Sequence, residues 1–308
     1  MLLREALERF EFERKDALSP FTLVNYRSAV NSARDFGIKG TKGLTRAKVS
    51  GWLHKLQKSD LEASSINTKL TAILSICSFL EKKGLFPLHR LQGLRRLRIK
   101  PPTPPAPTYL TRDEVSVFRV ACMSVDPQLD LAVSLSVFAG LRFNEMRHLH
   151  REDLFVYGEH EQQPFLRVRR ERNETKTRRD RAVPLARNYA AWLRAQDFPE
   201  GPLFPSRICL NKRDYLSQRT LQLWFWEARD RCGLYHVTWF VLRHTFASWL
   251  RQSGVELSRI SGFMGNTVAI CERFYAAMGP GGDHVVEKAF EPTPPTPAPK
   301  AADDGAAA

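Results

Sequence analysis

The sequence predicts a mainly α-helical protein with a small antiparallel β-sheet, divided into a helical N-terminal domain and an α+β C-terminal domain. Hydrophobic residues recur at helical spacing through most of the chain, whereas short extended runs occur only between residues 153 and 185. The chain has 308 residues, and because ordinary domains hold roughly 100 to 200 residues, two hydrophobic cores are expected.

Residues 1–90 are expected to form the helical domain. A helix is predicted behind the pair Ser19-Pro20, because serine is a favourable N-cap and proline is favoured at the first helical position. Further helices are predicted after Thr45 and near Ser64, since apolar residues follow each at helical spacing.

Residues 91–107 are expected to form a basic, proline-rich linker. The stretch RLQGLRRLRIKPPTPPAPT, which begins one residue earlier, holds five basic residues followed by five prolines, a composition that disfavours a helix or a central strand. We expect the basic side chains to follow a phosphate backbone, although a run of charge is more often a solvated face. These residues are Arg95, Arg96, Arg98 and Lys100.

Residues 108–291 are expected to form the second domain. Thr111 and Glu114 have the spacing of a capping box at a helix start. Gly140 is placed to end a later helix, so that a new helix begins near Arg142.

Three extended runs interrupt this helical pattern. The runs DLFVY, PFLRVRRER and RAVPL are joined by polar turns, and the middle one alternates as a half-buried strand does. A small β-sheet is therefore predicted between residues 153 and 185. Proline, alanine and aspartate dominate the end of the chain, so residues 292–308 are expected to be a disordered tail.

The charge of the chain favours a polyanionic partner. There are 47 Lys and Arg residues against 33 Asp and Glu, a net charge of +14, which suits nucleic acid or an anionic membrane. The basic residues are spread over linker, hairpin and helices without one large apolar face beside them, so double-stranded DNA is expected rather than a membrane. The N-terminus lacks the apolar run of a signal peptide, and a cytoplasmic location is expected. The five cysteines are scattered without a CxxC pair, so neither disulfides nor a metal site are predicted.

Four residues of the second domain suit phosphate chemistry. Arg142 lies at a predicted helix start, Lys176 in the turn between two strands, and Arg243 within VLRHTFASWL. A phosphodiester transition state needs guanidinium donors on its non-bridging oxygens and a proton donor for the leaving oxygen. Tyr275 follows as a candidate nucleophile, since neighbouring cations favour the phenolate of a group whose pKa is ordinarily near ~10.

The motifs that contain these residues resemble those of the tyrosine recombinases. They are GLRFNEMRHLHREDL, TKTRRDRAVPL, LRHTFASWLRQSG and FMGNTVAICERFY, in that order along the chain. The resemblance covers residues 108–280, and residues 19–90 resemble the family's helical core-binding domain at the level of pattern. It implies that Arg142 and Arg243 clamp the phosphate and that Lys176 protonates the leaving 5′ oxygen. It also implies that Tyr275 forms a 3′-phosphotyrosyl link without a cofactor.

Two positions depart from the family's pattern. The family normally has a histidine three residues before the second arginine, where this chain has Phe240, and a histidine or tryptophan where it has Asn266. Asn266 is expected to donate a hydrogen bond to a non-bridging oxygen. Loss of a histidine at position 240 predicts slower chemistry, since a general acid–base group contributes about 10²- to 10⁴-fold. His244 directly follows Arg243, and adjacent residues on a helix point about 100 degrees apart. If Arg243 faces the phosphate, His244 is therefore expected to face the domain interior and to be structural.

The predicted hairpin is strongly basic, and it is expected to lie along DNA. The alternative is that some of its arginines have no role in DNA binding and occupy the solvated face of a strand. The residues assigned to DNA contact are Arg169, Arg178 and Arg179.

The resemblance implies a site-specific DNA recombinase that acts as a homotetramer on two DNA sites, with accessory DNA-bending or partner recombinase proteins. The nucleoid of a prokaryote, or a phage or mobile element, is the expected setting. One alternative is a catalytically weakened DNA-binding member of the same fold, for which the departures at 240 and 266 argue. Another is a relaxing enzyme similar to type IB topoisomerases, which product topology would distinguish.

Overall fold

The structure is a computed structural model that describes residues 1–100, 108–156, 163–172, 180–196, 198–206 and 215–276. The chain divides into two compact units, Met1–Pro104 and Pro105–Ala308. Each unit has its own hydrophobic core.

The N-terminal unit is helical, as predicted. Ser19 caps the helix Pro20–Asp35 and Thr45 caps the helix Arg46–Gln57, because each side chain accepts a hydrogen bond from a backbone N–H in the first turn. Its helices are α1 (Leu3–Arg14), α2 (Pro20–Asp35), α3 (Arg46–Gln57), α4 (Ala63–Lys82) and α5 (Leu88–Arg95).

Helix α4 is the central element of this unit. It packs against α1, α2, α3 and α5, and Leu70, Ile73 and Leu80 on its inner side are almost fully buried. By length and composition alone α4 is also apolar enough to cross a membrane, but half of its apolar window is buried within the unit. Its apolar character is therefore accounted for by the core.

The start of the predicted linker is wrong. Residues 91–95 continue α5 instead, because Leu91 and Leu94 are buried in the N-terminal core and the prolines begin only at residue 101. Beyond the helix, Asn67 of α4 bonds both the backbone N–H and the carbonyl of Ile99, at 3.0 and 2.7 Å. The basic segment is therefore held along α4.

The C-terminal unit is a helical assembly that carries a three-stranded antiparallel sheet in the order β1-β2-β3, as predicted. Its register pairs Leu166 with Val183, both buried. The strands are β1 (Leu154–Phe155), β2 (Phe165–Val168) and β3 (Arg181–Pro184). The helices are α6 (Arg112–Val125), α7 (Pro127–Phe138), α8 (Phe143–Arg147), α9 (Arg187–Arg194), α10 (Gln218–Cys232), α11 (Trp239–Gln252), α12 (Leu257–Met264) and α13 (Val268–Tyr275).

Two predicted helix boundaries in this unit are confirmed. Thr111 and Glu114 form the capping box of α6. After α7, Gly140 has a φ of +60°, and a Cβ at this position would lie 2.4 Å from the ring of Phe246, so only glycine fits this turn. The turn leads directly to Arg142, which is the N-cap residue of α8.

Candidate active site

Four of the five predicted catalytic residues line one cavity of about 340 Å³ in the C-terminal unit. The fifth, Lys176, lies outside the described residues. Apolar side chains make up much of the remaining wall. The lining residues are Arg142, Phe143, Trp239, Phe240, Arg243, His244, Met264, Asn266, Ile270, Phe274 and Tyr275.

Arg142 is fixed at the start of α8 by contacts on both sides. Its backbone N–H donates to Glu145 Oε2 and its Nη1 to Glu145 Oε1, each at 2.8 Å. Its Nη2 donates to the Gly265 carbonyl at 2.7 Å and to Asn266 Oδ1 at 2.6 Å. The guanidinium is therefore pre-oriented at the cavity wall.

Arg243 lies on α11 and is almost completely buried. It donates to the carbonyls of Gly140 and Met264, and to Asn266 Oδ1 at 3.2 Å. Burial, followed by the charge of Arg142, lowers the pKa of Arg243 to about 9, so the group remains charged at neutral pH. Two arginines from different helices thus meet at one amide oxygen.

Glu145 and Arg181 complete this charged cluster, although neither is predicted as a site residue from the sequence. Arg181 donates to both carboxylate oxygens of Glu145, at 2.8 and 2.6 Å, and to the Phe263 carbonyl at 2.8 Å. Burial alone would raise the pKa of Glu145, but Arg181, followed by Arg142, outweighs it and lowers the pKa to about 2. The capping-box spacing of Arg142 and Glu145 was the available signal for the carboxylate. Arg181 was hidden among the other arginines of the hairpin.

The structure shows the acceptor side of Asn266, whose Oδ1 accepts hydrogen bonds from both Arg142 and Arg243. Donation to the phosphate would use the other amide atom, Nδ2, and stays a prediction. The left-handed turn at Gly265, with a φ of +61°, ends α12 and brings the amide to that position. Asn266 therefore acts as a positioning residue for the two guanidinium groups.

Tyr275 is the last residue of α13 and is buried against the cavity. Its Oη lies 2.5 Å from Nδ1 of His244. Burial raises the pKa of Tyr275 above its ordinary value, and Arg243 opposes this effect. The candidate nucleophile is therefore a neutral phenol in the DNA-free protein.

His244, which was expected to be structural, lies beside the candidate nucleophile. His244 is buried, as expected, but it lines the cavity and contacts the candidate nucleophile. The imidazole contacts Tyr275 of α13, whereas the preceding residue, Arg243, donates to the carbonyls of Gly140 and Met264. Burial and then the charge of Arg243 lower the pKa of His244 to about 4, so the imidazole is neutral at pH 7.

Phe240 contacts the same imidazole. Its ring centroid lies 4.2 Å from that of His244 at an interplanar angle of 89°, although 62% of its surface remains exposed. Phe274 lies on the imidazole from α13 at 5.5 Å. The residue that replaces the expected histidine therefore packs against the histidine one turn later.

The predicted DNA-contact residues fall into three groups. Arg169 has a protein partner, since its Nε donates to the buried Asp153 at 2.6 Å. The side chains of Arg178 and Arg179 lie outside the described residues. The basic residues at the end of α5 and just after it are exposed, and they are Arg95, Arg96, Arg98 and Lys100.

The described part of the chain contains no group of three or more His, Cys, Asp or Glu residues that could hold a metal ion. The four cysteines in that part are free thiols, at positions 77, 122, 232 and 271. The described ionisable side chains that line the cavity are those of Arg142, Arg243, His244 and Tyr275.

Models of known protein families match both units of the chain. The phage integrase family matches residues 108–276, and the N-terminal SAM-like domain of phage integrases matches residues 7–84. The protein named tyrosine recombinase of Thermosipho africanus is 27% identical over 255 residues, which cover 80% of this chain and 84% of the relative.

Solved structures share the fold. The Tn1549 transposon integrase in complex with transposon right end DNA has a TM-score of 0.69 at 15% identity, covering 89% of this chain and 95% of that chain. A lambda integrase tetramer bound to a Holliday junction has a TM-score of 0.65 at 18% identity, covering 92% and 80%.

Proposed function

Since this chain belongs to the phage integrase family and is a site-specific tyrosine recombinase, we propose that Tyr275 is its nucleophile and that Arg142 and Arg243 bind the scissile phosphate. The observation that carries this proposal is that all three side chains line one cavity. The phosphate occupies the cavity beside the two guanidinium groups, where it is also within reach of the phenol.

The reaction exchanges one phosphoester for another. Tyr275 Oη attacks phosphorus, the bond to the 5′ oxygen breaks, and a 3′-phosphotyrosyl link remains. Lys176 gives a proton to the departing 5′ oxygen. A 5′ hydroxyl of the partner strand then attacks the link and releases the tyrosine, so no external energy source is needed.

The charge balance at the cavity supports this mechanism. Three arginines surround one carboxylate, Glu145, so the described cluster has a surplus of two positive charges. A bound phosphodiester supplies one negative charge and gains a second in the pentacoordinate transition state. Donors that are fixed in advance stabilise such developing charge, and removing one typically costs about 10²- to 10³-fold in rate.

The partner is double-stranded DNA. The exposed arginines after α5 suit contact with its phosphate backbone, because α4 holds that segment in place. The lambda integrase was solved as a tetramer bound to a Holliday junction, and we extend this assembly to a homotetramer of the present chain on two DNA sites. Accessory DNA-bending proteins and a cytoplasmic location, at a nucleoid or mobile element, belong to the same proposal.

A suicide-substrate assay tests the proposal. Purified protein is incubated with nicked duplexes carrying the target site and analysed on a denaturing gel beside Tyr275→Phe. A covalent protein–DNA adduct that the variant lacks is the expected result. If the wild-type protein binds DNA but forms no adduct at any pH, the chain is a DNA-binding member that has lost cleavage, as Phe240 would suggest.

A further inference from the structure

We propose that His244 is a catalytic residue that accepts the phenol proton of Tyr275 during strand cleavage. The proposal rests on the function proposed above, in which Tyr275 is the nucleophile. It goes further because it assigns the general base that accepts the proton of Tyr275, a role that the proposed function gives to no residue.

The geometry selects His244 among the described residues that line the cavity. Its Nδ1 is 2.5 Å from Tyr275 Oη, which is within the reach a general base requires. Asn266 Oδ1 already accepts from both arginines. Phe240, one turn earlier on α11, has no atom that can take a proton.

The surroundings hold the imidazole in position. Phe240 packs edge-on against it at 4.2 Å and Phe274 at 5.5 Å. The acceptor form has its proton on Nε2 and a lone pair on Nδ1, so that the phenol donates. His244 and Tyr275 are both buried, so little water competes for this hydrogen bond and the proton stays between the two side chains.

Proton transfer from Tyr275 to His244 requires bound DNA, because the charged forms of both side chains are disfavoured in the free protein. Burial and Arg243 disfavour the imidazolium, and burial disfavours the phenolate. A phosphate bound at Arg243 offsets the charge that acts on His244, and the phenol becomes acidic as its oxygen bonds to phosphorus. The Oη–H bond breaks, Nδ1 gains the proton, and the P–O5′ bond breaks as Lys176 protonates the leaving oxygen. On rejoining, His244 returns the proton to Tyr275.

The test compares four proteins at saturating DNA: wild type, His244→Asn, Phe240→His and the double variant Phe240→His/His244→Asn. Asparagine places a hydrogen-bond acceptor near the former Nδ1 but takes no proton at neutral pH. The rate of adduct formation is expected to fall about 10²- to 10⁴-fold in His244→Asn, with unchanged DNA affinity. The double variant is expected to recover at least about tenfold, because a second imidazole then stands one turn away.

A structural role for His244 gives different results. A wild-type rate in His244→Asn overturns the proposal. A faster rate also overturns it, since the contact would then restrain the tyrosine. A double variant no faster than His244→Asn, at equal melting temperature, overturns it as well.

A second measurement keeps His244 and changes only the acidity of the phenol at position 275, in case the variants at position 244 do not fold. The pH dependence of adduct formation is measured with tyrosine and with 3,5-difluorotyrosine at position 275. If neutral His244 is the base, the rate falls on acidification with a midpoint that fluorination does not move. A midpoint that moves to lower pH with fluorination means that the phenol ionises by itself, and this overturns the proposal.

The two proposals fail in distinguishable ways. No adduct from the wild-type protein removes Tyr275 as nucleophile and His244 as its base together. An adduct that Tyr275→Phe lacks establishes the nucleophile whatever the variants at position 244 show.

Discussion

Among the described residues of the C-terminal unit, two buried arginine–carboxylate clusters, those of Asp130 and Glu145, differ in charge balance. Arg119 and Asp130 form one pair, with two hydrogen bonds of 2.8 and 2.7 Å, and both side chains are almost completely buried. The Arg119 guanidinium also lies over the ring of Trp192, at 4.8 Å. This closed pair has no net charge, and neither of its residues lines the cavity.

The second cluster has an excess of positive charge. Glu145 interacts with Arg142, Arg181 and Arg243, and two of these arginines border the cavity. The carboxylates respond in opposite directions, since burial raises the pKa of Asp130 despite Arg119, whereas the arginines lower that of Glu145 to about 2. A balanced buried ion pair has no charge left for a ligand, whereas surplus positive charge beside a cavity suits an anion.

The closed pair is expected to affect stability alone. Asp130→Asn leaves Arg119 buried without a countercharge, which should reduce the free energy of unfolding by about 3–5 kcal/mol. Urea unfolding measures this loss. The double variant Arg119→Met/Asp130→Leu should retain most of the stability. If Asp130→Asn also slowed cleavage by folded protein, the distinction between the clusters would fail.

The surplus cluster is expected to affect chemistry. Arg243→Gln should slow adduct formation by about 10²- to 10³-fold, with a much smaller change in DNA affinity, because many other contacts hold the duplex. Single-turnover cleavage and a binding titration measure the two effects. Arg243→Lys should be similarly slow, since one ammonium does not reproduce the planar fork that reaches Gly140 and Met264. A wild-type rate for the lysine variant would show that charge alone suffices.

Burial and the charge of Arg243 also make the stability of the protein depend on pH, through their effect on the pKa of His244. The pKa of this buried imidazole is about 4 in the folded protein against about 6.5 unfolded, so between these values the unfolded chain binds more protons. Stability is therefore complete above about pH 6.5 and falls as the pH drops to about 4, by up to about 3 kcal/mol. Denaturant unfolding from pH 7 to 4 should show a steeper loss in wild type than in His244→Asn. Parallel curves would contradict this.

The smallest effect is expected from the arginine that lies farther from the reaction. Arg181→Met removes both hydrogen bonds that Arg181 donates to Glu145, so the carboxylate and Arg142 lose their fixed positions. Cleavage should slow by about 10²-fold, as expected for misplaced catalytic groups, and the pKa of Glu145 should rise. The pH dependence of cleavage below neutrality reports this rise. An unchanged rate would mean that Arg142 is held by Gly265 and Asn266 alone.

Local patterns in the sequence were sufficient for much of the fold. The caps at Ser19, Thr45 and Thr111 and the glycine at 140 predict helix boundaries that the structure has, because each depends on residues within one turn. The linker prediction failed at residues 91–95. There a helix forms because Leu91 and Leu94 pack in the N-terminal core, against residues that are distant in the sequence.

The sequence by itself determined the two-part organisation, the family and the positions of Tyr275, Arg142 and Arg243, since these depend on local periodicity and on motif order. Only the tertiary structure decided which groups touch. Arg142 and Asn266 are 124 residues apart, Glu145 and Arg181 are 36 apart, and His244 and Tyr275 are 31 apart. Whether His244 faces the core or the nucleophile depends on how α13 packs on α11, and neither helix carries that information in its own pattern.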